Sequence, residues 1–372
     1  MTIRERVKAV LSYEPYDKLP VLHFGYWGET LEIWANEGHI PMELAKTWGD
    51  GNASDKALDE IMGWDQNYSL LASLYNSSLF PCFKQEVLKE LPDGSRHVRG
   101  TDGVTLLEKS DSAGSISAEI EHILVDRKSW EEHYLPKLQW NENRRIEHEL
   151  ASAVLDPNHE YWISLHVGSI LGTIRNWIGV VGLSYMQMDD PDLLKEIVDT
   201  YANLQIKCME ENLKITSNYD DISLWEDICY NYGPLVNPKV FDELTAKHYK
   251  KISEIAHSYG INFVHVDCDG LIDSLVPTWI NNGVNIMYPI EVGTWDASYA
   301  KHRAIYGKNI LGVGGMDKKV FAYDKAAVDA EIERLKPIVD LGGYIPCPDH
   351  RIAPDAKFEN VMYYIEKMKA TF

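Results

Sequence analysis

From about residue 160 onward, short apolar runs alternate with amphipathic stretches of roughly ten to twenty residues, the rhythm of repeated βα units. The runs predict strands at Tyr161 to Leu165, Val181 to Gln187, Asp221 to Trp225, Asn262 to Val266, Val284 to Tyr288, Ile310 to Val313 and Gly343 to Pro346. Between them the pattern predicts helices such as Pro191 to Thr216 and Pro238 to Ser258. The second of these opens with Asn237 as N-cap and Pro238 at the first helical position. Before residue 125 the pattern is irregular: a short helix from Ile3 to Ser12, an apolar strand at Pro20 to Phe24, an aromatic stretch with Tyr26, Trp27 and Trp34, and two Asp-Gly turns. Those turns, Asp93-Gly94 and Asp102-Gly103, separate the runs EVLKEL, RHVRG and VTLLEKS, a pattern that reads as a small β-hairpin or meander within residues 80–125. With the early strand the count reaches eight. The expected fold is therefore one (β/α)8 TIM barrel over residues 1–372, with an irregular N-terminal extension carrying the hairpin insertion.

Charge narrows the function classes. The chain has 36 Lys and Arg against 57 Asp and Glu, a formal charge of −21. Such a surface repels phosphate backbones and anionic lipid, which sets nucleic-acid and membrane-surface roles aside. No run approaches the roughly 18 apolar residues of a membrane span, and the N-terminus lacks the layout of a signal peptide, so a cytoplasmic protein is expected. The five cysteines, Cys82, Cys208, Cys229, Cys268 and Cys347, are an odd number in a long chain and are read as reduced thiols, inert or metal-binding.

A barrel of this type places its chemistry at the carboxyl ends of its strands. Those positions hold His166, Glu226 with Asp227, Asp267 to Asp269, Glu291, Gly314-Gly315 with Asp317, and Cys347, Asp349 and His350. Cys268 and Cys347 each follow a strand directly. A catalytic zinc takes three protein ligands and keeps one position open, so two thiolates and one further donor satisfy the count. Two residues compete for the third place. His265 neighbours Cys268, yet strand alternation makes the two diverge and turns His265 toward the helix layer. Glu226 closes its own strand and is preferred. Asp349 and His350 would orient a ligand or bind substrate, and the glycine pair marks a place where something approaches the backbone closely.

Several motifs in order resemble the uroporphyrinogen decarboxylase superfamily: the opening RERVKAVLSYEPYDKLPV, GPLVNPKVFDEL, DCDG followed by YPIEV, GVGGMDK, and GGYIPCPDH near the end. The resemblance runs from residue 3 to about 366 and implies the (β/α)8 fold. Decarboxylases of the superfamily carry an arginine-rich loop after the first strand, whereas LPVLHFGYWGETLEIW has no arginine. The chain is more similar to the corrinoid-dependent methyltransferase branch, whose zinc is held by a His-x-Cys and a distant Cys. Cys268 and Cys347 match the two cysteines, and Val266 stands where the histidine would be, which is why the third donor moves to Glu226. DCDG and PDH are similar to relatives that cleave methyl ethers.

The expected protein is thus a methyltransferase with zinc on Glu226, Cys268 and Cys347. It would move a methyl group from a small methylated substrate, an aryl methyl ether by preference, to the cob(I)alamin of a separate corrinoid protein. Asp267, Asp269 and His350 would serve catalysis. Tyr26, Trp27, Trp225, His166, Glu291 and Asp317 would bind substrate, the rings by stacking on an aromatic ether. Transfer from a methylcorrinoid to a thiol, a metal-free lyase, and a non-catalytic binding barrel are the alternatives.

Overall fold

The structure, a computed structural model, describes residues 1–109, 117–147, 150–295 and 297–372. Its strands are β1 (Leu22–His23), β2 (Gln66–Asn67), β3 (Leu71–Ala72), β4 (Glu86–Glu90), β5 (Arg96–Arg99), β6 (Val104–Glu108), β7 (Ala118–His122), β8 (Ser164–Gly168), β9 (Asp221–Trp225), β10 (Cys229–Tyr230), β11 (Gly233–Pro234), β12 (Val264–Asp267), β13 (Ile286–Tyr288), β14 (Leu311–Met316) and β15 (Tyr344–Pro348). A seven-stranded parallel sheet runs in the order β15-β14-β13-β12-β9-β8-β3, and β1 pairs with β2 in a separate parallel pair. Its strands are near-continuously apolar because helices cover the sheet; Val264, Val266, Ile286, Val313 and Ile345 are all fully buried. Just beyond β1 and β15 a parallel bridge joins Tyr26 to Ile352. Ile352 N donates to Gly25 O (3.0 Å) and Trp27 N to Ile352 O (3.1 Å).

The helices start where the sequence signals them. Asn237 accepts from Lys239 N ahead of the helix Pro238–Ser258, and Asp190 accepts from Leu193 N ahead of the helix Pro191–Ile215, each with proline in the first turn. Phe241, Leu244, Thr245, His248, Tyr249 and Ile252 form the buried stripe of the first of these helices, at the three- and four-residue spacing a one-sided helix requires.

Two expectations change. Val181 to Gln187, read as a strand, lies inside the helix Gly172–Asp189. Leu183 and Met186 are buried there while Val181, Tyr185 and Met188 are exposed, a helical period that a continuous apolar run concealed. The strand missing from the count lies instead at β2 and β3, two-residue pieces too short to produce a pattern.

The Asp-Gly turns make a four-stranded antiparallel sheet, β4-β5-β6-β7. Asp93 accepts from Ser95 N and Asp102 from Val104 N, while Gly94 and Gly103 take the positive φ that such turns need. Residues 110–116 of this insertion, including Ser110 at the end of the VTLLEKS run, lie outside the described residues. No helix among the described residues is long and apolar enough to cross a membrane.

Candidate functional site

A cavity of about 760 Å³ opens at the carboxyl ends of β8, β9 and β12. Its floor is set by strand alternation. Ser223 and Trp225 of β9 and Asp267 of β12 line it. Two residues earlier on the same faces, Asp221 and His265 pair below (Oδ2 to Nδ1, 2.6 Å), with the Tyr68 and Tyr288 rings packed against one another at 4.9 Å. In register, Asp267 lies between Trp225 of β9 and Tyr288 of β13. One wall comes from the helix Gly172–Asp189 through Thr173, Asn176 and Trp177, and another from the β5–β6 turn through Thr101 and Asp102.

At the rim, His350 Nε2 meets Asp269 Oδ2 at 3.1 Å, and its ring stacks on Trp27 with centroids 5.9 Å apart. Arg351 grips both oxygens of Asp50 (2.5 and 3.2 Å) and lies over the Trp48 ring. Asn67 donates to the same carboxylate. Burial, then the charges of Asp269 and Asp227, push the Asp267 carboxyl well above the usual carboxylate range, against a smaller opposing effect of Arg351. Asp227, held at φ +34 with its carboxylate on Arg175 (3.0 Å), is raised by burial and by Asp269.

Of the residues singled out in the sequence, His166, Trp27, Trp225, Asp267, Asp269 and His350 all line this cavity. Others do not. Tyr26 is buried with its ring edge-on to Trp34 and Trp48 and its hydroxyl on Met62 Sδ, a core position. Glu291 accepts from Gly270 N (2.7 Å) and from the Trp295 indole, tying the loop after β12 to the chain after β13. Asp317 caps the turn Lys318–Ala322 through Lys319 N. Asp349, raised to about 6 by burial, accepts from Gly293 N and Lys318 N and so braces two neighbouring loops. What approaches the glycine pair is the chain itself: Gly315 N donates to Pro289 O, and a Cβ at Gly314 would stand 1.6 Å from that oxygen.

The expected zinc ligands are not brought together. Glu226 is fully buried, and its carboxylate caps the helix Gly172–Asp189. It accepts from Ile170 N (2.8 Å), Leu171 N (3.0 Å), Gly172 N (3.1 Å) and Tyr249 OH (2.7 Å). With both oxygens taken by helix-end donors, it offers none to a metal. Cys268 alternates away from the cavity face shared by His265 and Asp267, and its thiol donates to Asp269 O at 3.5 Å. Cys347, on β15, is fully buried. His265, expected to face the helix layer, points instead between the strands onto Asp221. His265 and Cys268 thus diverge, His265 on the face that Asp267 shares and Cys268 on the other.

Among the described residues, one group of three ligand-type side chains has its atoms within 4.8 Å of one another: His23, Asp55 and Asp59, a possible metal-binding triad. Its atoms already have partners. His23 Nδ1 accepts from Gly25 N, so Nε2 carries the proton that faces Asp59 Oδ1 at 2.7 Å, and Asp55 accepts from Trp48, Gly51 and Asn67.

No protein-family model matches the chain, and no curated protein matches it. Solved structures do. The chain is similar in fold to a methyltransferase from Methanosarcina mazei. That likeness has a TM-score of 0.60 at 15% identity and covers 100% of this chain and 99% of the other. At that identity the likeness is one of fold. A partial likeness, with a TM-score of 0.38 at 14% identity over 61% of this chain and 70% of the other, is to a Listeria monocytogenes protein described as a vitamin-B12-independent methionine synthase.

Three residues that line the cavity were not among the expected site residues. Asp50 sits in a Gly-Asp-Gly loop between helices, far from any strand. Arg351 directly follows His350 and could have been found as the one cation in the IPCPDHR run. Cys82, exposed and outside every predicted strand, lines the cavity.

Proposed function

We propose that the protein is a methyltransferase that takes a methyl group from a small methylated substrate and passes it to a corrinoid carried by a separate protein. We read the parallel sheet, closed by the chain next to β1, as a (β/α)8 barrel with its mouth at this cavity. The observation that carries the reading is the convergence of Asp267, Asp269 and His350 with the Trp27 and Trp225 rings in one cavity, within a fold shared with a methyltransferase. The corrinoid is a second substrate here, supplying an electron pair for the methyl carbon. The chain's own residues bind the methyl donor, exclude water and manage the leaving group. For the aryl methyl ether preferred from sequence, the leaving oxygen needs a proton. Asp267, with its raised carboxyl, is the acid for that role, while Asp269 and His350 hold each other in place beside it. Since the expected zinc donors do not assemble, no step depends on that metal.

The test is to mix the protein with a methylated donor and a reduced corrinoid protein and follow the corrinoid absorbance. Conversion to the methylated form that needs the protein, and that falls at least about 100-fold in Asp267→Asn, is expected. Equal conversion without the protein removes the proposal.

A further inference from the structure

Four carboxylates, Asp50, Asp102, Asp267 and Asp269, line the cavity beside one guanidinium, that of Arg351. Arg351 is already gripped by Asp50 through both oxygens. The His350 imidazole is engaged by Asp269, whose other oxygen, Oδ1, is buried without a partner. The field in the cavity is therefore negative; together with burial it helps hold the Asp267 carboxyl above the usual range, and a cation bound there would draw that carboxyl back to its ionised form. A neutral methyl ether would not relieve that field, and giving its leaving oxygen the Asp267 proton would ionise that carboxyl among Asp50, Asp102 and Asp269. The apolar part of the lining combines aliphatic side chains such as Leu71 and Leu79 with the rings of Trp27, Tyr75, Trp177 and Trp225. Asp267 and Trp225 are register partners on adjacent parallel strands, so a carboxylate and an indole stand side by side in the floor, about 4.8 Å apart in backbone spacing. A carboxylate beside an indole, with further rings opposite, is the arrangement that recognises a soft, poorly hydrated cation.

We propose that the methyl donor is a methylated ammonium, held by Asp267 and Asp269 against the Trp27 and Trp225 rings. The proposal rests on the methyl-transfer reading and replaces the aryl ether as its substrate class. In the step it implies, the C–N bond breaks with its electron pair left on nitrogen. The amine departs neutral, and the methyl carbon bonds to the electron pair of the reduced corrinoid. No proton moves, and no anion is left among the carboxylates.

Binding separates this claim from turnover. Choline and its neutral carbon isostere, 3,3-dimethylbutan-1-ol, are titrated calorimetrically into the protein without corrinoid. Wild type should bind choline about tenfold or more tightly than the isostere. Asp267→Asn should erase that preference while leaving the isostere's affinity unchanged, and Trp225→Leu should weaken choline more than the isostere. Circular dichroism of each variant verifies the fold. Equal affinity for the two probes in wild type, or no binding of choline, overturns the inference. A protein that prefers choline yet methylates no corrinoid keeps the substrate class and loses the methyl-transfer reading. One that demethylates an aryl ether and binds both probes alike does the reverse.

Discussion

Glu226 shows how a side chain can look like a ligand in sequence and be something else in the fold. It stands at a strand end, as a metal ligand would, but the helix that follows β8, Gly172–Asp189, begins beside it and aims three backbone N–H groups at its oxygens. The close approach is built in: a Cβ at Gly172 would stand 1.9 Å from Glu226 O. Glu226→Gln keeps one acceptor and turns an amide N–H₂ toward donors, so stability should fall by about 2–4 kcal/mol in chemical denaturation. Tyr249→Phe should cost about 1–2 kcal/mol through the same carboxylate. If Glu226→Gln instead unfolds like wild type and strips bound metal, the residue is a ligand after all. Cys268→Ala and Cys347→Ala should leave the metal content of the purified protein alike; a shared loss in both would restore the paired-cysteine site. What sequence could not supply was the phase of β12. The strand extends to Asp267, so His265 and Asp267 face inward and Cys268 outward. Asp267, Asp269 and His350 were legible because the strand ends of such a fold border its cavity, whereas Glu226, Glu291, Asp317 and Asp349 at similar positions brace the chain instead.

Elements with caps and a clean period were readable, and those without were not. Asn237-Pro238 and Asp190-Pro191 announce helices whose observed starts agree with them. The first half of the sheet was obscured: β2 and β3 are two residues each, and the helical run Val181 to Gln187 reads as a strand in their place. Between the two long helices, Asp199 receives Lys195 (2.7 Å), Lys247 (2.6 Å) and His248 (2.8 Å). Burial alone would raise its carboxyl, but these three donors prevail and bring it down to about 2. Because the folded-state value lies below the unfolded one, the stabilisation is present above about pH 4 and is lost as pH falls toward 2. A side chain 26% exposed is partly screened, so Asp199→Asn should cost about 1–2 kcal/mol at pH 7. The difference from wild type should vanish in acid unfolding near pH 2. A gap that persists there would mean that the tie is not electrostatic.

At the scale of the molecule, the insertion β4–β7 is part of the site and not an appendage, since Thr101 and Asp102 at its turn form a cavity wall. Replacing Asp102 and Gly103 with a pair unable to make that turn should loosen substrate binding several-fold while leaving the parallel sheet intact, as judged by affinity and by circular dichroism. The charge of −21 acts at longer range. Encounter with a corrinoid protein should change rate with ionic strength, faster with salt for an acidic partner and slower for a basic one. The central claim is that a methyl group leaves a substrate in this cavity for a corrinoid. The most direct measurement feeds a carbon-13 methyl-labelled donor to the protein with a reduced corrinoid protein and locates the label by NMR. The account predicts that the label appears on the corrinoid and that the demethylated donor accumulates in equal amount. Label that stays on the donor, with carbon dioxide released from a carboxylated substrate in the absence of corrinoid, would contradict it.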